Sequence, residues 1–161
     1  MPTPRQLSGL EKLSPSLDEM ALFARFMREF GIETQARVEF TDVIGNRLEI
    51  DRNLFLNLKG QWKIMKGERA QWLLYTAANI KWPDEIWLEP GRYGGLDKLH
   101  YLSRFEVGRG GRLACVAVFE RGPELQGVWA GRTNYATTRD DGYIDSKRLS
   151  DRQLRYWRWE R

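Results

Sequence analysis

The sequence predicts an α+β fold, with helices first and an antiparallel sheet after them. Residues 17–30 and 68–80 place apolar side chains at spacings of three and four, the period of a helix. From residue 85 onward the pattern changes to short runs rich in Val, Leu, Tyr and Trp, separated by glycine-containing turns. Helices and strands are grouped rather than alternating, which argues against a parallel α/β sheet.

The elements follow in chain order. Residues 1–15 hold three prolines, Pro2, Pro4 and Pro15, and read as a tail or linker. Ser16-Leu17-Asp18-Glu19 reads as a capping box, in which hydroxyl and carboxylate satisfy backbone N–H groups at a helix start. Leu17, Met20, Ala24 and Met27 form the apolar stripe, Phe23, Phe26 and Phe30 widen it, and Gly31 ends the helix. Residues 37–40 and 47–50 are expected to pair as strands around Ile44-Gly45-Asn46. Leu54-Phe55-Leu56 is a short apolar piece, and Lys59, Lys63 and Lys66 surround Trp62 in a connecting segment. The second helix is expected over 68–80, with Trp72, Leu73, Thr76, Ala77 and Ile80 buried and Pro83 blocking continuation. Strands are expected at 85–88, 99–107, 113–119 and 125–135; the run at 113–119 is apolar on both faces and therefore central. The domain reading is a tail and amphipathic helix over 1–35, then the main domain over 36–161.

Composition bounds the function. At 161 residues, 42% hydrophobic and 30% charged, the chain reads as one folded, soluble domain. A net charge of +4 suits a phosphate-bearing partner and equally suits an ordinary basic protein. Cys115 is the single cysteine, so no internal disulfide or cysteine-cluster zinc site is expected. No apolar signal segment opens the chain, and no run approaches the roughly 20 apolar residues of a membrane span, so no membrane anchor is expected.

Most catalytic motifs are missing. Asp140, Asp141 and Asp145 lie in a turn-like stretch and read as a solvated loop, so no metal or other cofactor is expected. No nucleophile elbow of the Gly-x-Ser-x-Gly type occurs. Gly108, Gly110 and Gly111 make a hairpin turn rather than a phosphate loop, because no helix follows.

RNA self-cleavage asks for less. The 2′-hydroxyl attacks the adjacent phosphate, and the enzyme supplies a proton acceptor, a proton donor and cations. Strand alternation puts Lys98, His100 and Arg104 on one face, with Tyr101 and Ser103 on the other. At ~3.3 Å per residue, Lys98 and His100 are about 7 Å apart and His100 and Arg104 about 13 Å. His100 is the side chain whose ordinary pKa suits proton transfer near neutrality; a structural histidine is the competing reading. Trp129, Gly131, Thr133 and Tyr135 are expected to share a face, with Arg132 opposite. The tail carries Lys147, Arg148, Arg152, Arg155, Arg158 and Arg161 among Tyr156, Trp157 and Trp159. Such a mixture binds phosphates and stacks on bases, or packs as a terminal strand or helix with solvated arginines.

Several stretches together carry a resemblance. They are Val43-Ile44-Gly45, Leu48-Glu49-Ile50 and Leu54-Phe55; Lys66 with Arg69; Pro83-Asp84-Glu85-Ile86-Trp87-Leu88; Tyr101 and Arg104; Gly127-Val128-Trp129 with Thr133; and Tyr143, Arg148 and Tyr156. The chain resembles the phage Barnase-EndoU-Colicin-RelE-like nucleases found at the C-terminus of phage Mu F-type head proteins and of polymorphic toxins. The resemblance implies helices packed on a curved antiparallel sheet and a toxin that cleaves RNA without a metal. It implies His100 as proton shuttle, with Tyr143 or Lys98 as the alternative, Arg104 and Arg148 on the phosphorane, and Thr133 and Tyr143 on phosphate oxygens. Lys98, Lys66, Tyr135, Arg155 and Arg158 would position the RNA. It further implies an RNA substrate, tRNA among the candidates, a cognate immunity protein, and action in a target-cell cytoplasm after delivery as the C-terminal part of a secreted or virion protein. The rival reading is a non-catalytic phage or virion domain that binds nucleic acid or the capsid.

Overall fold

The computed structural model describes residues 3–7, 10–14, 17–32, 36–64, 69–121, 127–138 and 152–158. Two helices, α1 (Glu19–Arg28) and α2 (Leu73–Lys81), pack on one face of a seven-stranded sheet. The strands are β1 (Arg37–Thr41), β2 (Arg47–Asp51), β3 (Glu85–Glu89), β4 (Asp97–Val107), β5 (Gly111–Arg121), β6 (Val128–Thr137) and β7 (Gln153–Trp157). Their spatial order is β1-β2-β6-β5-β4-β3-β7. The sheet is open, curved and mostly antiparallel, so the α+β expectation holds. β5 is its centre, as its two-sided apolar pattern implied.

One pairing departs from a simple meander. β2 runs parallel to β6 through Arg47↔Val128, Leu48↔Trp129 and Glu49↔Ala130. Alternation in sequence reports which face of a strand is buried; it does not report which strand lies beside it.

The core is built from both helices and the facing strand residues. Phe26 and Phe55 meet edge-on at 4.8 Å, as do Tyr101 and Phe119 at 5.4 Å. Every residue of α2 from Leu73 to Ile80 is buried, so its predicted stripe is a fully buried helix instead. That helix begins at Leu73, after a turn at 69–72; residue 68 lies outside the described residues. The cap of α1 is Asp18, whose carboxylate accepts from the Ala21 N–H at 2.7 Å. Ser16, the expected capping hydroxyl, lies outside the described residues.

The N-terminal stretch, expected as a tail or linker, is packed where it is described. Arg5 bridges Phe105 in parallel, and Leu13 is buried with its N–H on the Gln71 carbonyl at 3.1 Å. α1 shares one core with the sheet.

Candidate functional site

The two faces of β4 are different. Leu99, Tyr101, Phe105 and Val107 join the clusters beneath the helices, and Leu102 joins a smaller cluster on the second face. Lys98, His100 and Arg104 alternate onto that second face, as the strand period required. The β3–β4 hairpin sets Trp87 opposite His100 and Glu89 opposite Lys98. Glu89 is therefore a diagonal neighbour of His100, and its Oε2 lies 2.8 Å from His100 Nε2. Arg152 comes in from the start of β7, with a guanidinium nitrogen 3.5 Å from Glu89 Oε1.

The exposures rank these groups. The His100 side chain is 5% exposed and that of Glu89 27%. Lys98, directly opposite Glu89, is 41% exposed. A ligand thus meets Glu89 and Lys98 first, with the imidazole behind them. Burial alone would raise the Glu89 carboxyl. The hydrogen bond from His100 and the charges of Arg152, His100 and Lys98 outweigh that, and the pKa falls below its ordinary value.

The register extends the site across the sheet. His100 faces Val118 on β5, and Val118 faces Thr133 on β6. His100 and Thr133 occupy one row, two strand spacings or roughly 10 Å apart. Lys63 reaches Thr133 and donates from Nζ to its hydroxyl at 2.8 Å. The guanidinium of Arg69 lies 5.9 Å from the Tyr135 ring. Next to that row, Glu120 sits between Lys98 (4.0 Å) and Arg132 (3.5 Å).

A bulge corrects the expected face of β6. The register shifts between Val118 and Phe119, whose partners are Thr133 and Gly131. Arg132 is the extra residue, so Trp129 and Gly131 face the helices while Thr133 and Tyr135 face the second side. The sequence pattern treated these four as one face because strict alternation has no place for an inserted residue.

The remaining expected residues are dispersed. Arg104 lies on the Ala114 row, and its backbone N–H donates to Asp84 at 2.9 Å. Arg155 is exposed on β7. Arg158 is committed to structure: its Nε lies 2.7 Å from Asp84 Oδ1 and it donates to the Thr3 carbonyl at 2.9 Å. Lys66, Tyr143 and Arg148 lie outside the described residues.

Asp84 explains part of the Pro83–Leu88 signature. It is wholly buried and gathers Arg5 (3.2 Å), Arg158 and the Arg104 N–H. Its own N–H points to the Ser103 hydroxyl at 3.1 Å. This carboxylate locks β3 to β4, to the N-terminal segment and to the stretch after β7. A second buried acid, Asp42, accepts from Ile44 N–H, Asn46 N–H and the Tyr101 hydroxyl, fixing the β1–β2 turn to the core.

Sequence reasoning missed Glu89 as the partner of His100 and Arg152 as the partner of Glu89. The signal for Glu89 was available: a hairpin joining 85–88 to 99–107 brings Glu89 to the Lys98–His100 end of β4. Arg152 was not accessible, because nothing local announces that β7 pairs with β3.

The family model described as phage-Barnase-EndoU-ColicinE5/D-RelE like nuclease2 matches residues 25–157. No curated protein and no solved structure matches the chain. The matched span runs from α1 through β7 and contains the β3–β4 hairpin with its Glu89–His100 pair. On that span, the chain belongs to the phage-Barnase-EndoU-ColicinE5/D-RelE-like nucleases, and its substrate is nucleic acid.

Proposed function

We propose that the chain is a metal-independent endoribonuclease toxin whose proton transfer is carried by Glu89 and His100. The observation that supports this best is the 2.8 Å contact between Glu89 Oε2 and His100 Nε2, flanked by Lys98 and Arg152. Glu89 is the more accessible member and accepts the proton of the attacking 2′-hydroxyl. The 2′-oxygen bonds to phosphorus, the bond to the 5′-oxygen breaks, and a 2′,3′-cyclic phosphate and a 5′-hydroxyl result. Lys98 protonates the leaving oxygen, and Arg152 balances charge on the phosphorane. His100 acts through Glu89, orienting its carboxylate and sharing the proton it takes up. Lys63, Thr133 and Tyr135 hold the neighbouring phosphate two strands away. Arg104, Tyr143 and Arg148 remain proposed contacts to the RNA backbone, with Lys66 and Arg155 as outer cations. A cognate immunity protein that covers this face, and action in a target-cell cytoplasm, complete the reading.

The test is incubation of the purified chain with total bacterial RNA in EDTA, beside Glu89→Gln, His100→Ala and Lys98→Ala. Discrete fragments that vanish in Glu89→Gln support the reading. A His100→Ala variant whose kcat falls and whose pH profile moves, at unchanged KM, supports its positioning role. RNA that stays intact while still bound favours a non-catalytic binding domain.

A further inference from the structure

A cleft of about 360 Å³ opens beside the proposed cleavage site, where β6 meets the loop after the 3₁₀ turn Arg52–Phe55. Its walls include Asn53, Leu56, Asn57, Leu58, Glu120 and Arg132. Gly131 forms part of its floor, and the missing side chain matters: a Cβ there would lie 2.7 Å from Leu54 Cγ. Glycine lets the 3₁₀ turn close onto β6 and make the wall.

The cleft is preorganised. The Asn57 side-chain oxygen accepts from the Lys59 and Gln61 N–H groups, both at 2.9 Å, which fixes the loop. Leu58 projects from it 83% exposed, an apolar surface with no core to join. Opposite stands the Glu120 carboxylate. Its Oε1 is oriented by Arg132 at 3.5 Å and Lys98 at 4.0 Å. The Glu120 side chain is 21% exposed and lines the cleft, so its carboxylate is within reach of a ligand there. Glu120 is also a diagonal neighbour of His100 across β4 and β5, at a separation of roughly 7–8 Å.

A concave site of this volume is at the small end of the usual range, roughly 300–1,000 Å³, and suits one nucleobase with its sugar. An apolar wall accepts a flat ring. A carboxylate oxygen accepts from an amino group, and Arg132 donates to a ring nitrogen or carbonyl. We propose that this cleft takes the unpaired base beside the scissile phosphate and favours bases with an exocyclic amino group, adenine, cytosine or guanine, over uracil. This rests on the nuclease reading above and adds its base selectivity.

The test is cleavage of a random-sequence RNA by the full chain, with the bases flanking each cut identified by sequencing. The expected result is about a tenfold excess of amino-bearing bases over uracil at one flanking position, the discrimination of a good polar contact. Glu120→Gln, whose amide also donates to uracil carbonyls, brings that excess close to unity. Leu58→Ala, at an exposed position that leaves the fold intact, weakens binding of every base at that position alike. Binding of 2′-O-methyl tetranucleotides, which cannot undergo 2′-hydroxyl attack, reads the cleft without cleavage and is expected to show the same preference. Equal use of uracil, or a preference unchanged in Glu120→Gln, overturns the base assignment while leaving cleavage standing. Absent cleavage with an intact tetranucleotide preference overturns the nuclease reading and not the cleft.

Discussion

Glu89 shows how one carboxylate is set by its neighbours. Burial works against its charge, yet His100, Arg152 and Lys98 hold it below its ordinary value of 4.5. A lowered folded pKa fixes the sign of its contribution to stability. The contribution is complete above pH 4.5 and is lost as pH falls through the lower folded value. Urea melts across that window are expected to show a loss that Glu89→Gln flattens. For catalysis, Glu89→Gln is expected to slow RNA cleavage by about 10²–10⁴-fold, the range of general acid–base transfer, in single-turnover assays. Asp84 is the opposite case, a charge kept for architecture. Removing it in Asp84→Ala strands two guanidinium groups in a buried site, and denaturant unfolding is expected to show a loss of about 3–5 kcal/mol. Burial pushes the Cys115 thiol up, so thiol reagents are expected to modify it on unfolding and not before.

At the level of elements, the β6 bulge sorts a strand into two jobs. Its first half turns Trp129 and Gly131 to the core; its second half turns Thr133 and Tyr135 to the opposite face. Gly131→Ala would press on Leu54, with a cost of about 1–3 kcal/mol by thermal or urea unfolding, reduced in a Leu54→Ala background. The hairpins around β5 were legible in the sequence because each turn carries glycine and the stretches between the turns are rich in strand-forming residues. The β1–β2 pair was legible for the same reason. The parallel β2–β6 contact, the bulge and the edge position of β7 were not. Each depends on which strand lies beside another, which the period of a strand does not encode. For the candidate site, the shared face of Lys98 and His100 was legible from strand alternation, whereas the place of Thr133 in the same row followed from the register and the bulge. Glu89 and Arg152 became visible through cross-strand register, which sets Glu89 of β3 against His100 and brings Arg152, just before β7, onto Glu89.

At the scale of the whole molecule, segments distant in sequence converge on one carboxylate. Arg5 and Arg158 meet on Asp84, so the N-terminal segment and the stretch after β7 are fastened to the same hairpin that carries Glu89 and His100. The net charge of +4 gives the molecule a general attraction for phosphates. RNA affinity is therefore expected to fall linearly with salt on logarithmic axes, and Lys98→Ala and Lys63→Ala are each expected to reduce the slope by about 0.7, one single-strand phosphate contact apiece. The proposed chemistry turns on the 2′-hydroxyl as nucleophile and on Glu89 as its base. Both are tested by one oligonucleotide pair in EDTA: a short RNA, and the same strand with a single 2′-deoxy sugar at the cut site. The all-RNA strand is expected to be cut to a 2′,3′-cyclic phosphate, the deoxy strand to survive, and Glu89→Gln to spare both. Cutting of the deoxy strand at the same position would contradict that chemistry.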